Sequence, residues 1–154
     1  MELSEFLAAD AVVAQLNATS KKRLLQEIAR VAESVYGLPC KEIFTALQDR
    51  ELLGPTGMGN GVAIPHARLA CLDEVKAVFV RLEKPVDYES VDRQPVDLVF
   101  ALLAPEGAGA THLKALARVS RTLRDQTICA KLRSSEDPNA MFAILTAVQN
   151  SKAA

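Results

Sequence analysis

The segment Thr56–His66, TGMGNGVAIPH, joins three alternating glycines to an apolar tripeptide, a proline and one of the chain's two histidines. Histidine is the side chain whose ordinary pKa lies nearest neutrality. One ring nitrogen can act as a nucleophile when the other donates its proton to a backbone carbonyl or similar acceptor. Glycines ahead of it let backbone N–H groups come close to a ligand and form a concave anion site. Thr56, Gly57, Gly59, Asn60 and Gly61 are therefore expected to line a small anion or phosphoryl group, with His66 as its candidate acceptor. No Gly-Lys-Ser/Thr follows the glycines and no G-x-G-x-x-G opens a helix, which argues against a nucleotide loop.

The second histidine, His112, follows Thr111 at an expected helix start, where unpaired amides and the helix dipole favour anions and lower an imidazole's pKa. There it offers a neutral hydrogen-bond donor beside a phosphoryl group. Arg50 precedes the glycine segment and Arg68 lies two residues past His66, so either could neutralise charge on transferring oxygens; Arg50 is the better placed, beside the loop. Bland alternatives exist for each residue, since a lone histidine is often structural and glycines often only build turns. No carboxylate or thiol at ligand spacing accompanies either histidine, so no metal is expected, and no G-x-S-x-G elbow suggests a hydrolase.

These residues need elements to hold them. Leu24, Leu25, Ile28, Ala32 and Val35 mark a helical stripe between Ser20, a cap, and Gly37, a stop. A second helix is expected from about Pro39 to Arg50, with Ile43, Phe44 and Leu47 inside. Val62–Pro65 reads as a brief strand ending at His66, because proline keeps Ile64 extended. Val75–Leu82 and Val96–Ala104 are nearly continuous apolar runs rich in β-branched and aromatic residues, as in strands covered on both faces. Thr111 is expected to cap a helix to about Arg124 with Leu113, Leu116, Ala117, Ser120 and Leu123 inward. A short helix near Thr127–Leu132 follows. Asp137 and Pro138 then open a last helix with Met141, Phe142, Leu145 and Val148 facing the core, and a loose tail is expected from Asn150.

The 154 residues suit one α/β domain, residues 1–154 with an ordered core of about 3–149, able to bury a sizeable core without a cofactor. With 18 basic and 19 acidic side chains scattered along the chain, no charge excess favours nucleic acid or an anionic membrane. Three widely spaced cysteines give no disulfide framework. The acidic N-terminal stretch is unlike a signal peptide, and no apolar run approaches spanning length, so a cytoplasmic location without membrane insertion is expected.

Taken together, Arg50-Glu51, Gly54, Thr56-Gly57, Gly59-Asn60-Gly61 and Val62-Ala63-Ile64-Pro65-His66 resemble the active-site segment of EIIA domains of the bacterial phosphotransferase system, fructose/mannitol type. Asn60 before Gly61, and the stretch QPVDLVFALLAPEGAGATHLKALARVSRTL, are most similar to the nitrogen-regulatory branch, EIIA-Ntr; the likeness runs from about Leu3 to Ala147. The resemblance implies an α/β/α sandwich around a mixed sheet. It implies that His66 accepts a phosphoryl group on Nε2 from an HPr-like phosphocarrier, NPr, supported by His112 and Arg50. It also implies regulation of targets such as potassium transporters or sensor kinases according to phosphorylation state. Met58 and Val62 are candidates for a docking surface. Ala67-Arg68 stands where many members of the family have Gly-Lys or a similar pair, so the rim of the site is expected to differ. Two other functions remain open: a sugar-specific EIIA passing phosphate to an EIIB, and a ligand-binding or interaction domain of the same fold without phosphoryl chemistry.

Overall fold

The apolar run after Gln94 forms the most deeply buried strand of the sheet. In the computed structural model, which describes residues 1–153 with side chains through Ala147, this strand spans Val96–Pro105 and every residue from Leu98 to Ala104 is buried. In chain order the elements are β1 (Leu7–Leu16), α1 (Lys21–Tyr36), α2 (Cys40–Leu52), β2 (Gly57–Gly59), β3 (Val62–Ala63), β4 (His66–Leu69), β5 (Lys76–Val86), β6 (Val96–Pro105), α3 (Gly109–Leu123), α4 (Gln126–Ser134) and α5 (Pro138–Ala153), after a 3-10 turn at Leu3–Glu5. The sheet order is β1-β5-β6-β3-β2, with β4 also paired to β6. It is mixed: β1 runs parallel to β5, β5 antiparallel to β6, and both β3 and β4 parallel to β6. Helices α1 and α2 pack on each other and on the sheet, while α3 packs on β6, α5 on β1, and α4 between α3 and α5, giving the expected layers of an α/β sandwich.

Local chemistry sets most boundaries. Ser20 accepts from the Arg23 amide at 3.1 Å and Gly37 stops α1 at φ +70°, a left-handed conformation that glycine adopts without a Cβ penalty. Asp125 caps α4 through the Thr127 and Ile128 amides, and Asp137 accepts from the Asn139 amide ahead of α5. The positions expected for Val148 and for a tail from Asn150 lie outside the described side chains.

Three expectations are corrected. β1 is absent from the sequence reading, although Ala11, Val12 and Ala14 are buried. Register shifts against β5 on both sides of Val12–Val13 break its in–out alternation, so no period of two is visible. Second, α3 starts at Gly109 with Ala108 as the cap residue, so Thr111 lies inside the first turn. Its inward face is His112, Ala115, Val119, Thr122 and Leu123, whereas Leu113 is 63 % exposed. The expected stripe holds at Leu123 but ignored the two polar residues that this helix buries, His112 and Thr122, and so was turned partly away from the sheet. Third, the strand does not end at His66. β3 stops at Ala63 and β4 begins at His66, both keeping one register along β6: Val62 opposite Leu98, His66 opposite Leu102. Proline at 65 has no N–H to give, and the Ile64 amide turns instead to the Thr56 carbonyl at 3.1 Å. The break is thus a two-residue interruption in a continuing edge.

Candidate functional site

The interruption between β3 and β4 is where the two histidines meet. The Ile64 carbonyl lies 2.8 Å from His66 Nδ1. A carbonyl can only accept, so Nδ1 carries the proton and Nε2 keeps its lone pair in the neutral ring. On the helix side, α3 brings His112 to an edge-on approach, with ring centroids 5.6 Å apart and planes at 66°. His112 is 5 % exposed. Its Nδ1 faces the Arg68 Nε–H at 3.3 Å, and its buried Nε2 has no partner among the described residues.

Burial depresses the pKa of both rings. For His66 the hydrogen bond to Ile64 opposes this and the positive charge of Arg50 adds to it; for His112 the neighbouring His66 and Arg68 add to it. The His112 pKa is lowered, the direction expected for a helix start, with removal from water as the largest cause. Both rings are therefore neutral near pH 7.

His66 stands between two clefts. One, of about 510 Å³, has Arg50, Gly57, Met58, Leu116 and Arg124 in its walls. The other, of about 650 Å³, has Arg50, Leu53, Arg68, His112 and Leu113. Arg50 borders both and is steadied by donating to the Gly54 carbonyl at 3.0 Å. Leu52 and Leu53, at 79 % and 83 % exposed, leave apolar surface beside it.

The glycine segment is brought to the site, but as a β-hairpin. β2 pairs antiparallel with β3, and Asn60 and Gly61 at the turn take φ +57° and +79°. Positive φ at two successive turn residues is what a tight hairpin needs, and Asn-Gly supplies it. The Asn60 amide is already held by Asp92 at 3.0 Å and its carbonyl by Arg133 at 2.8 Å. Thr56 is likewise occupied: its amide and hydroxyl both donate to the Glu51 carboxylate, and its hydroxyl also meets the Tyr88 hydroxyl at 3.2 Å. The Thr56 and Asn60 amides are thus engaged within the protein, and the braced hairpin forms one wall of the first cleft, which Thr56, Gly57, Gly59 and Asn60 line together with His66. At Gly57 the reason for glycine is close approach, since a Cβ there would lie 2.1 Å from Ser90 Oγ.

Residues 5–148 match the family described as phosphoenolpyruvate-dependent sugar phosphotransferase system, EIIA 2. The chain belongs to this family. Within it, the chain is 50 % identical over 145 residues to a nitrogen regulatory protein of Bradyrhizobium diazoefficiens, covering 94 % of this chain and 95 % of that one. It is 40 % identical over 148 residues to a nitrogen regulatory protein of Escherichia coli, covering 95 % and 90 %. The crystal structure of nitrogen regulatory protein IIA-Ntr from Neisseria meningitidis superposes with a TM-score of 0.88 at 35 % identity, over 94 % of this chain and 99 % of that one. The EIIA fold explains why these histidines converge: a parallel edge and the helix after its neighbouring strand end at one rim of the sheet.

From the sequence Arg68 has the lesser role because Arg50 lies beside the glycine loop. In β4 the burial of Ala67 and Leu69 alternates with the exposure of His66 and Arg68, which places those two on one face. The polar–apolar alternation of His-Ala-Arg-Leu was the available signal. Glu51, Tyr88, Asp97 and Arg133 were given no role, since their partners are 5 to 73 residues away in the chain. Among the described residues no helix is long and apolar enough to cross a membrane.

Proposed function

We propose that this chain is a phosphoryl-carrying regulator of the nitrogen-related phosphotransferase system, which accepts a phosphoryl group on His66 Nε2 from an HPr-like carrier, NPr. The observation that supports it best is the Ile64 carbonyl on His66 Nδ1, which leaves Nε2 as a lone pair at the mouth of two clefts. In the transfer the carrier's N–P bond breaks and returns its electron pair to the carrier's imidazole, while the Nε2–P bond forms. His66 then has substituents on both nitrogens and becomes cationic, and the Ile64 carbonyl stabilises that charge. The loose transition state spreads negative charge over three oxygens, so catalysis rests on positioning and on donors such as Arg50 and His112. Targets then respond to the added charge; potassium transporters and sensor kinases are the candidates the family suggests.

The sugar-specific alternative, handing the group to an EIIB, is supported by a fructose-specific EIIABC component of Bacillus subtilis at 34 % identity. The nitrogen regulatory proteins, at 40–50 %, favour regulation. Incubation with phosphoenolpyruvate, the system's first enzyme and NPr should add one acid-labile phosphoryl group. His66→Ala should abolish it, and His112→Ala and Arg50→Ala should slow it on the order of 10²-fold. Labelling that survives in His66→Ala overturns the assignment.

A further inference from the structure

Arg68 Nε lies 3.3 Å from His112 Nδ1, and this contact constrains the proton on His112. A guanidinium is always protonated and can only donate, so Nδ1 must accept and the neutral ring carries its proton on Nε2. The imidazolium form would set one N–H against another and break the contact. Nε2 is the buried nitrogen without a partner among the described residues, in a ring 5 % exposed that stands edge-on to His66. A buried donor without an acceptor is unfavourable, and that cost is relieved when an anion arrives beside it. His66 and His112 are thus held in opposite tautomers: one presents a lone pair, the other an N–H.

We propose that Arg68 is a positioning residue that locks His112 in its Nε2–H form, so that a single buried donor is aimed at the phosphoryl group on His66. This rests on the phosphoryl-carrier function proposed above. It differs from a direct charge role for Arg68, in which the guanidinium itself would meet the phosphoryl oxygens. Arg offers a planar N–H at Nε, close to the backbone, where lysine offers only a mobile terminal ammonium.

The test is a long-range ¹H–¹⁵N correlation spectrum of the full chain with labelled histidine, near pH 7.5. The expected result is a protonated Nε2 and bare Nδ1 for His112, and the reverse for His66. In Arg68→Met, which keeps the stem without the donors, His112 should move to a mixture of tautomers, with phosphorylation of His66 by NPr slowed about tenfold. Arg68→Lys should recover part of the rate. In a His112→Ala background, Arg68→Met should slow transfer no further, because its effect passes through the ring. A wild-type His112 protonated on Nδ1, an unchanged tautomer in Arg68→Met, or a full tenfold loss persisting without His112 overturns the proposal. If His66 takes no label in the wild type, the carrier function fails while the tautomer result still stands. If labelling succeeds and Arg68→Met is as fast as wild type, the positioning role alone fails. Arg68 is exposed on β4, and the amide spectrum of each variant reports whether the fold is kept.

Discussion

The glycine hairpin is braced at its root and at its tip by two polar networks that do one job in different surroundings. At the root the Glu51 carboxylate, 4 % exposed, accepts from Thr56 twice and pairs with Lys21 Nζ at 3.0 Å. Lys21 also lies 4.4 Å over the ring of the buried Tyr88, whose phenol pKa is pushed up by burial and by the nearby Glu51. At the tip the bidentate pair Arg133–Asp97, 34 % and 21 % exposed, reaches the Asn60 carbonyl, and the exposed Asp92 holds the Asn60 amide. A buried ion pair that loses one member leaves an uncompensated charge, whereas a partly exposed one is replaced by water. The root is expected to govern whether the hairpin and Arg50 stand beside His66 at all, and the tip to govern only how the turn is held.

The strongest way to break this contrast is Glu51→Ala. It strips the Thr56 amide and hydroxyl of their carboxylate acceptor and leaves Lys21, among the described residues, with the Tyr88 ring and the more distant Glu89 carboxylate at 3.9 Å. The expected loss is about 3 kcal/mol, seen as a lower urea midpoint with the slope unchanged. Replacing both charges, as Lys21→Met with Glu51→Gln, should cost less than Glu51→Ala, since Gln still accepts from Thr56 and no lone charge is buried. A loss below about 1 kcal/mol in Glu51→Ala would show that water enters the root as freely as the tip.

Gly61→Ala tests the tip where backbone and packing act together. The residue sits at φ +79°, and a Cβ would come 2.6 Å from Arg133 Nη2 and 3.0 Å from Asp97 Oδ1. Left-handed backbone and the displaced arginine together should cost about 2 kcal/mol, or a Tm lowered by roughly 4–8 °C. Adding Arg133→Met should then cost less than it does alone, because the alanine has already moved that side chain.

The sequence carried much of this fold because most of its elements obey local rules. The Ser20 and Gly37 boundaries of α1, the apolar runs of β5 and β6 and the convergence of His66 with His112 and Arg50 were all legible. What escaped was of two kinds. β1 and the inward face of α3 depart from simple periodicity, one through register shifts and the other by burying His112 and Thr122. The hairpin braces depend on pairs such as Thr56–Tyr88 and Asn60–Arg133, which only the closed sheet brings within reach. The glycines were taken as a phosphate cradle because Gly-x-Gly-Asn-Gly satisfies the demands of an anion loop and of a hairpin turn equally well. Asn-Gly between two strand-forming segments is the signal for the hairpin, whose Gly57 and Gly59 line the cleft beside His66.

Arg133→Met should have the smallest effect of the series and sharpen the comparison best. The side chain donates to Asp97 through Nε and Nη2 and to the Asn60 carbonyl at 2.8 Å, yet a third of it meets solvent. Water can take over both the carbonyl and the carboxylate, so the expected loss is about 0.5–1 kcal/mol, shrinking at high salt as screening weakens the pair already in the wild type. The root should show no comparable salt dependence, because its carboxylate is shielded. Thermal melts of Arg133→Met and Glu51→Ala at low and high salt therefore separate the two braces by sensitivity as well as size. If the Arg133→Met deficit is as large as that of Glu51→Ala and does not respond to salt, the tip behaves as a buried network, and the hairpin is clamped at both ends rather than hinged at one.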